Sequence, residues 1–277
     1  MMCQLLGMNC NTPTDIVFSF EGFRRRGGLT DEHSDGWGIA FFEGEGCRLF
    51  LDYLPSSSSP VADLVRAYPI KSKNVIAHIR KATQGEINLT NTHPFGRELW
   101  GQNWIFAHNG NLTHIPAPVS SRFMPIGSTD SEQAFCWLMN ELAQRFASCP
   151  PAEVLYATLQ ELSAQLAAGG TFNYLLSNGK TLFAHCSTKL HFLIRQAPFT
   201  RAHLCDTDMA VDFSLETSPN DRVAMIATEP LTDNEQWYAL QNGDLLMFVE
   251  GQIAYPIAYK PTPRTNDNAA SNTPAVC

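Results

Sequence analysis

A cysteine stands at position 3, behind two methionines and directly before the apolar run Gln4-Leu5-Leu6-Gly7. A thiol so placed is ordinarily a small hydrophobe with no task. One catalytic design, however, needs a cysteine at the chain terminus, where the α-amino group can act as its base. Three other stretches hold groups that such a nucleophile could use. His78-Ile79-Arg80-Lys81-Ala82-Thr83-Gln84-Gly85 closes an apolar strand with an arginine and a glycine. Alone it reads as a strand ending in a polar turn, yet Arg80 offers a rigid charged fork that fits a carboxylate. Ala107-His108-Asn109-Gly110-Asn111-Leu112 also follows a strand. Asn-Gly is the strongest short hairpin signal; the same pair could point an amide and a backbone N–H at an oxyanion. Thr129-Asp130-Ser131-Glu132 has the form of a capping box, with Thr129 as N-cap and Glu132 at N3. Asp130 would then complement the helix dipole, or, alternatively, receive an ammonium group.

Each stretch has an adequate structural explanation by itself. Together they match one small molecule. Free glutamine carries an α-carboxylate for Arg80, an α-ammonium for Asp130 and a side-chain amide. Attack on that amide makes an oxyanion, which suits Asn109 and Gly110, and Cys3 supplies the attacking group. Metal chemistry has little support, because the eight histidines show no metal-ligand spacing. His78, His93 and His108 are expected to be satisfied structural histidines.

Periodicity indicates the elements that must position these groups. Thr14 to Arg25 has helical spacing and stops at Gly27-Gly28. Gly38–Phe42, Arg48–Tyr53, Val75–Ile79 and Trp104–His108 read as strands, and Val61–Tyr68 as a short helix. Asp130–Phe146 and Glu153–Ala168 are amphipathic helices. Strand signals then recur at 172–176, 181–185, 191–194, 223–227 and 245–249. Helices set between two groups of strands predict an α+β fold. Residues 1–260 read as one domain, and 261–277, without apolar period, as a disordered tail.

The chain has 277 residues, 44% of them hydrophobic, enough for a sizeable core. Its net charge is −8, and its one basic cluster is Arg24-Arg25-Arg26. This argues against a nucleic-acid partner. No apolar run approaches a membrane span or a signal peptide, so a cytoplasmic protein is expected. The eight cysteines lack C-x-x-C spacing and are expected to be free thiols.

In order along the chain, MCQLLGMN, DGWGIAFF, HIRKATQG, NTHPFGRELWG, AHNGNL, GSTDSEQAFCWL and FNYLLSNG, with CSTKLH and ATEPL later, resemble the class II glutamine amidotransferases. The likeness is greatest to the stand-alone, YafJ-type members of these N-terminal-nucleophile (Ntn) hydrolases. It covers roughly residues 2 to 255. The resemblance implies a four-layer αββα sandwich of two stacked antiparallel sheets. It implies Cys3 as nucleophile, Asn109 and Gly110 as oxyanion hole, and Arg80 and Asp130 as substrate clamp, with Thr83 in the same substrate-binding strand end. Many relatives have an arginine–tryptophan pair where this chain has Arg80-Lys81, and a histidine where it has Gln84. Those positions shape the pocket. The implied reaction is glutamine hydrolysis to glutamate and ammonia through a thioester, with no metal or organic cofactor. The ammonia would go to a separate synthase or to water. Two alternatives are a hydrolase of another γ-glutamyl amide or peptide, and a catalytically silent glutamine-binding protein.

The start of the chain constrains this design. Methionine aminopeptidases cut before small side chains, so Met2-Cys3 would be cut if translation began at Met2. A chain starting at Met1 would keep both methionines and leave the Cys3 nitrogen an amide that takes no proton. The active species is therefore expected to begin at Cys3.

Overall fold

The computed structural model describes residues 3–82 and 85–263. The run after Cys3 becomes β1 (Gln4–Thr14). Leu6 and Met8 pack into one hydrophobic cluster and Leu5 into another, the two-sided burial of a central strand. There follow α1 (Val17–Arg25), β2 (Trp37–Glu43), β3 (Gly46–Asp52), α2 (Pro60–Ala67) and β4 (Ser72–Ile79). Next come β5 (Phe95–Leu99), β6 (Gln102–Leu112), α3 (Asp130–Arg145) and α4 (Ala152–Ala167). The remainder is strands: β7 (Gly170–Ser177), β8 (Leu182–His185), β9 (His191–Gln196), β10 (Arg201–His203), β11 (Ala210–Asp212) and β12 (Arg222–Ala227). The last are β13 (Tyr238–Ala239), β14 (Leu245–Val249), β15 (Gln252–Tyr255) and β16 (Thr262–Pro263).

The first large sheet has the order β16-β13-β9-β12-β1-β4-β2-β3 and the second β15-β14-β8-β7-β6-β5, while β10 and β11 pair as a separate two-stranded sheet. Leu5, Ile76, Ile105, Leu175 and Ile226 fill the space between them. Phe20, Phe23 and Val65 of α1 and α2 cover the outer face of the first sheet. Phe135, Leu142, Leu159 and Leu166 of α3 and α4 cover the outer face of the second. The result is the expected four-layer αββα arrangement of antiparallel sheets. No helix among the described residues is long and apolar enough to cross a membrane.

Three local readings change. Asn109-Gly110 is no hairpin turn: β6 continues to Leu112, and these two residues pair with Asn173 and Phe172 of β7. The long cross-strand ladder overrides the local turn signal. Gly110 lacks a positive φ; a side chain there would collide with the Thr171 carbonyl and His108 Nε2. The capping box forms only half. Thr129 accepts the Glu132 N–H at 3.2 Å. The buried Glu132 carboxylate turns instead to Arg97 Nη2 at 2.6 Å and the Gly127 N–H at 2.7 Å. Finally, Thr262–Pro263 pair with β13; the rest of the expected disordered tail lies outside the described residues.

Candidate active site

Strand register places the thiol. Gln4 stands opposite Ile79 in the β1–β4 pair, so Cys3 lies beside Arg80 and Lys81 at the head of a central strand. The Lys81 N–H donates to Cys3 Sγ at 3.2 Å, and the thiol donates to the Lys81 carbonyl at 3.4 Å. Burial pushes the thiol pKa up. The Lys81 N–H and the Arg80 charge pull it down, while Asp130 adds a smaller upward push. The balance favours the protonated thiol, so attack requires a base.

Asp35 braces this strand end from the start of the DGWGIAFF stretch. Its N–H donates to the Arg80 carbonyl at 3.2 Å, and its Oδ2 accepts the Ala82 N–H at 2.8 Å. The Arg80 side chain is buried, and its guanidinium donates to the carbonyls of Glu86 at 2.9 Å and Gly85 at 3.3 Å. Gly85 has φ +75°, a conformation that favours glycine. Burial lowers the Arg80 pKa, opposed by Cys3 and Asp35; guanidinium remains charged at any relevant pH. Thr83 lies outside the described residues.

The second sheet contributes Asn109. Its Nδ2 donates across the layers to the Cys3 carbonyl at 2.5 Å and to Thr228 Oγ1 at 3.2 Å. Asp130, first residue of α3, accepts the Leu112 N–H at 2.7 Å, tying that helix start to the end of β6. His108 strengthens the tie. Its Nε2 lies 3.0 Å from the Thr171 carbonyl and must donate, so Nδ1 accepts from Ser131 Oγ at 2.8 Å. Cys3 just ahead of β1, Arg80 just after β4, Asn109 on β6 and Asp130 at the start of α3 thus come together, with Arg80 and Asp130 both within electrostatic reach of the Cys3 thiol. Sequence reasoning missed Asp35, Asn173 and Thr228, all of them inside stretches that carry the family resemblance.

His108 is satisfied as expected, but His78 and His93 are not. Their buried rings lie against each other, centroids 4.2 Å apart and tilted by 41°. No ring nitrogen of either makes a hydrogen bond among the described residues. Burial holds both well below the ordinary value of 6.5, aided by like charge from His108 and Arg80. Burial also lowers His108, and lowers His185 to about 4. Below pH 6.5 the unfolded chain therefore takes up protons that the folded chain refuses. Stability is present above that pH and lost as pH falls, by up to about 1.4 kcal/mol per pH unit for each such histidine. Urea unfolding at pH 7 and pH 5 should show this fall, and equal stability at both would contradict it.

Among the described residues, no group of three or more His, Cys, Asp or Glu could hold a metal ion. Among the described residues, cysteines 3, 10, 47, 136, 149 and 186 are free thiols.

Two antiparallel sheets stacked between helical layers, with the chain start heading a central strand, form the sandwich of the N-terminal-nucleophile hydrolases. Within that class the chain belongs to the class II glutamine amidotransferases, a family match spanning residues 2–273. It is 54% identical over 272 residues to a Haemophilus influenzae protein provisionally named a glutamine amidotransferase, covering 98% of this chain and 92% of that one. It is 52% identical over 252 residues to YafJ of Escherichia coli, named equally provisionally, covering 91% and 99%. A crystal structure of a predicted glutamine amidotransferase from Pseudomonas aeruginosa superposes with TM-score 0.73 at 44% identity, covering 91% of this chain and 99% of that one. The glutamine phosphoribosylpyrophosphate amidotransferase of Bacillus subtilis shares the fold at TM-score 0.55 and 15% identity.

Proposed function

We propose that this protein hydrolyses the side-chain amide of glutamine through Cys3, giving glutamate and ammonia. The observation that carries the reading is the meeting of Cys3, Arg80, Asn109 and Asp130 at one end of the sandwich. Once Cys3 is the first residue, its α-amino group, with an ordinary pKa near 8, takes the thiol proton. Burial, which keeps the thiol protonated, is the reason this base is needed. Arg80 holds the substrate's α-carboxylate and Asp130 its α-ammonium, with Thr83 at the same strand end. Sγ bonds to the amide carbon, and the carbonyl electron pair moves onto oxygen. Asn109 and the Gly110 N–H receive that oxyanion. The α-ammonium of Cys3 returns its proton to the leaving nitrogen, ammonia departs, and water cleaves the thioester.

Asn109→Ala should lower kcat by about 10²–10³, the cost of one oxyanion donor. The alternative is a brace between the sheets; the variant would then lose melting temperature and keep its activity per folded molecule.

We propose that ammonia goes to a separate acceptor enzyme or to water, in the cytoplasm. Ammonia release from a panel of glutamine, asparagine and γ-glutamyl peptides tests the function. Glutamine should be turned over fastest. A γ-glutamyl peptide preferred over glutamine would move the substrate, and binding without turnover would make the protein a glutamine sensor.

A further inference from the structure

Thr228 directly follows β12, in the ATEPL stretch. The register of β12 against β1, with Leu6 opposite Ala227, sets it opposite Leu5. Its N–H donates to the Leu5 carbonyl at 3.1 Å. Its Oγ1 accepts two hydrogen bonds, from the Leu5 N–H at 2.9 Å and from Asn109 Nδ2 at 3.2 Å. A hydroxyl oxygen has two lone pairs, so both are filled. His191 Nδ1 lies 2.8 Å from the Thr228 carbonyl and fixes the backbone from β9.

The Asn109 carboxamide has two hydrogens, and its orientation follows from their partners. The Cys3 carbonyl can only accept, so Nδ2 must face it. The second hydrogen goes to Thr228. Asn109 Oδ1 is buried and makes no hydrogen bond among the described residues, so it does nothing to set the rotamer. The Asn109 backbone is fixed separately. Its carbonyl accepts from Asn173 Nδ2 at 3.0 Å, and Asn173 Oδ1 accepts the N–H groups of Ser187, Thr188 and Lys189 at 2.9, 3.0 and 3.3 Å. The backbone is thus held by β7 and the loop after β8, and the side chain by Thr228 and Cys3.

We infer that Thr228 is a positioning residue for the Asn109 carboxamide. Its hydroxyl keeps one Nδ2 hydrogen throughout the reaction. The other, resting on the Cys3 carbonyl, passes to the oxygen of the tetrahedral intermediate that forms on the thiol of the same residue. The inference rests on the role proposed above for Asn109.

Thr228→Val removes the acceptor and keeps the shape, and Thr228→Ser keeps the acceptor. Both are measured in the parent and in an Asn109→Ala background. The substrate is whichever γ-glutamyl compound the parent, beginning at Cys3, turns over fastest, so a wrong guess of glutamine shows as a different choice from the panel. Thr228→Val should lower kcat roughly tenfold with KM changed by less than about twofold, and Thr228→Ser should restore it. In the Asn109→Ala background Thr228→Val should cost less than about twofold. Equal fractional losses in both backgrounds would overturn the inference, as would an unchanged kcat. If Thr228→Val does not fold, Thr228→Cys, with a weaker acceptor, carries the same comparison. A parent that turns over no γ-glutamyl compound overturns the functional reading and this inference with it.

Discussion

Cys3→Ala should abolish ammonia release, lowering kcat by about 10⁴–10⁶, as when a covalent nucleophile is removed from a preorganised site. The thiol is placed by backbone alone: the β1–β4 register and the Lys81 peptide group. Alanine leaves that frame intact, so the variant should fold with an unchanged melting temperature and still bind glutamine. Cys3→Ser should be almost as inactive, since an amine with a pKa near 8 is matched to a thiol and far from an alcohol. Leaving Met2 attached should have a comparable effect without touching the thiol, because the Cys3 nitrogen is then an amide and accepts no proton. Activity in Cys3→Ala above a tenth of the parent's would remove Cys3 from the chemistry.

The second large effect is expected at Arg80. Arg80→Ala should cost about 2–5 kcal/mol in kcat/KM for glutamine, the range for breaking one side of a buried charged contact. Two backbone carbonyls aim the guanidinium, and its charge also favours the Cys3 thiolate. The first effect acts on substrate binding, the second on the nucleophile. A glutamine analogue without the α-carboxylate separates them. It should be a poor substrate for the parent and lose much less on Arg80→Ala than glutamine does. Arg80→Lys should recover little, because an ammonium lacks the planar fork. An unchanged kcat/KM for glutamine in Arg80→Ala would leave the arginine a structural role at this strand end.

Much of this site is legible in the linear sequence where chemistry and local structure coincide. Cys3 precedes an apolar run that becomes a doubly buried strand, Arg80 ends another, and Asp130 follows an N-cap threonine that caps as its type predicts. Asn109-Gly110 is legible as chemistry and misleading as structure. Two residues of turn propensity yield to an eight-residue pairing with β7 that no local window contains. Glu132 departs for a related reason, its partner Arg97 lying on a strand, β5, that local pattern does not reveal. Thr228 and Asn173 are harder still. Each is an unremarkable polar residue in sequence, and each acts through contacts made only when two sheets stack. Asp35 is 47 residues from the amide it holds.

The most direct test of the central claim is intact mass and peptide mapping of enzyme quenched in acid during turnover of glutamine. A preparation beginning at Cys3 should release ammonia and carry, on Cys3 alone, an added mass equal to glutamine less ammonia. A preparation retaining Met1-Met2 should do neither until it is trimmed back to Cys3. Turnover at the same rate with both methionines in place, or the adduct on another thiol such as Cys47 or Cys205, would contradict the account.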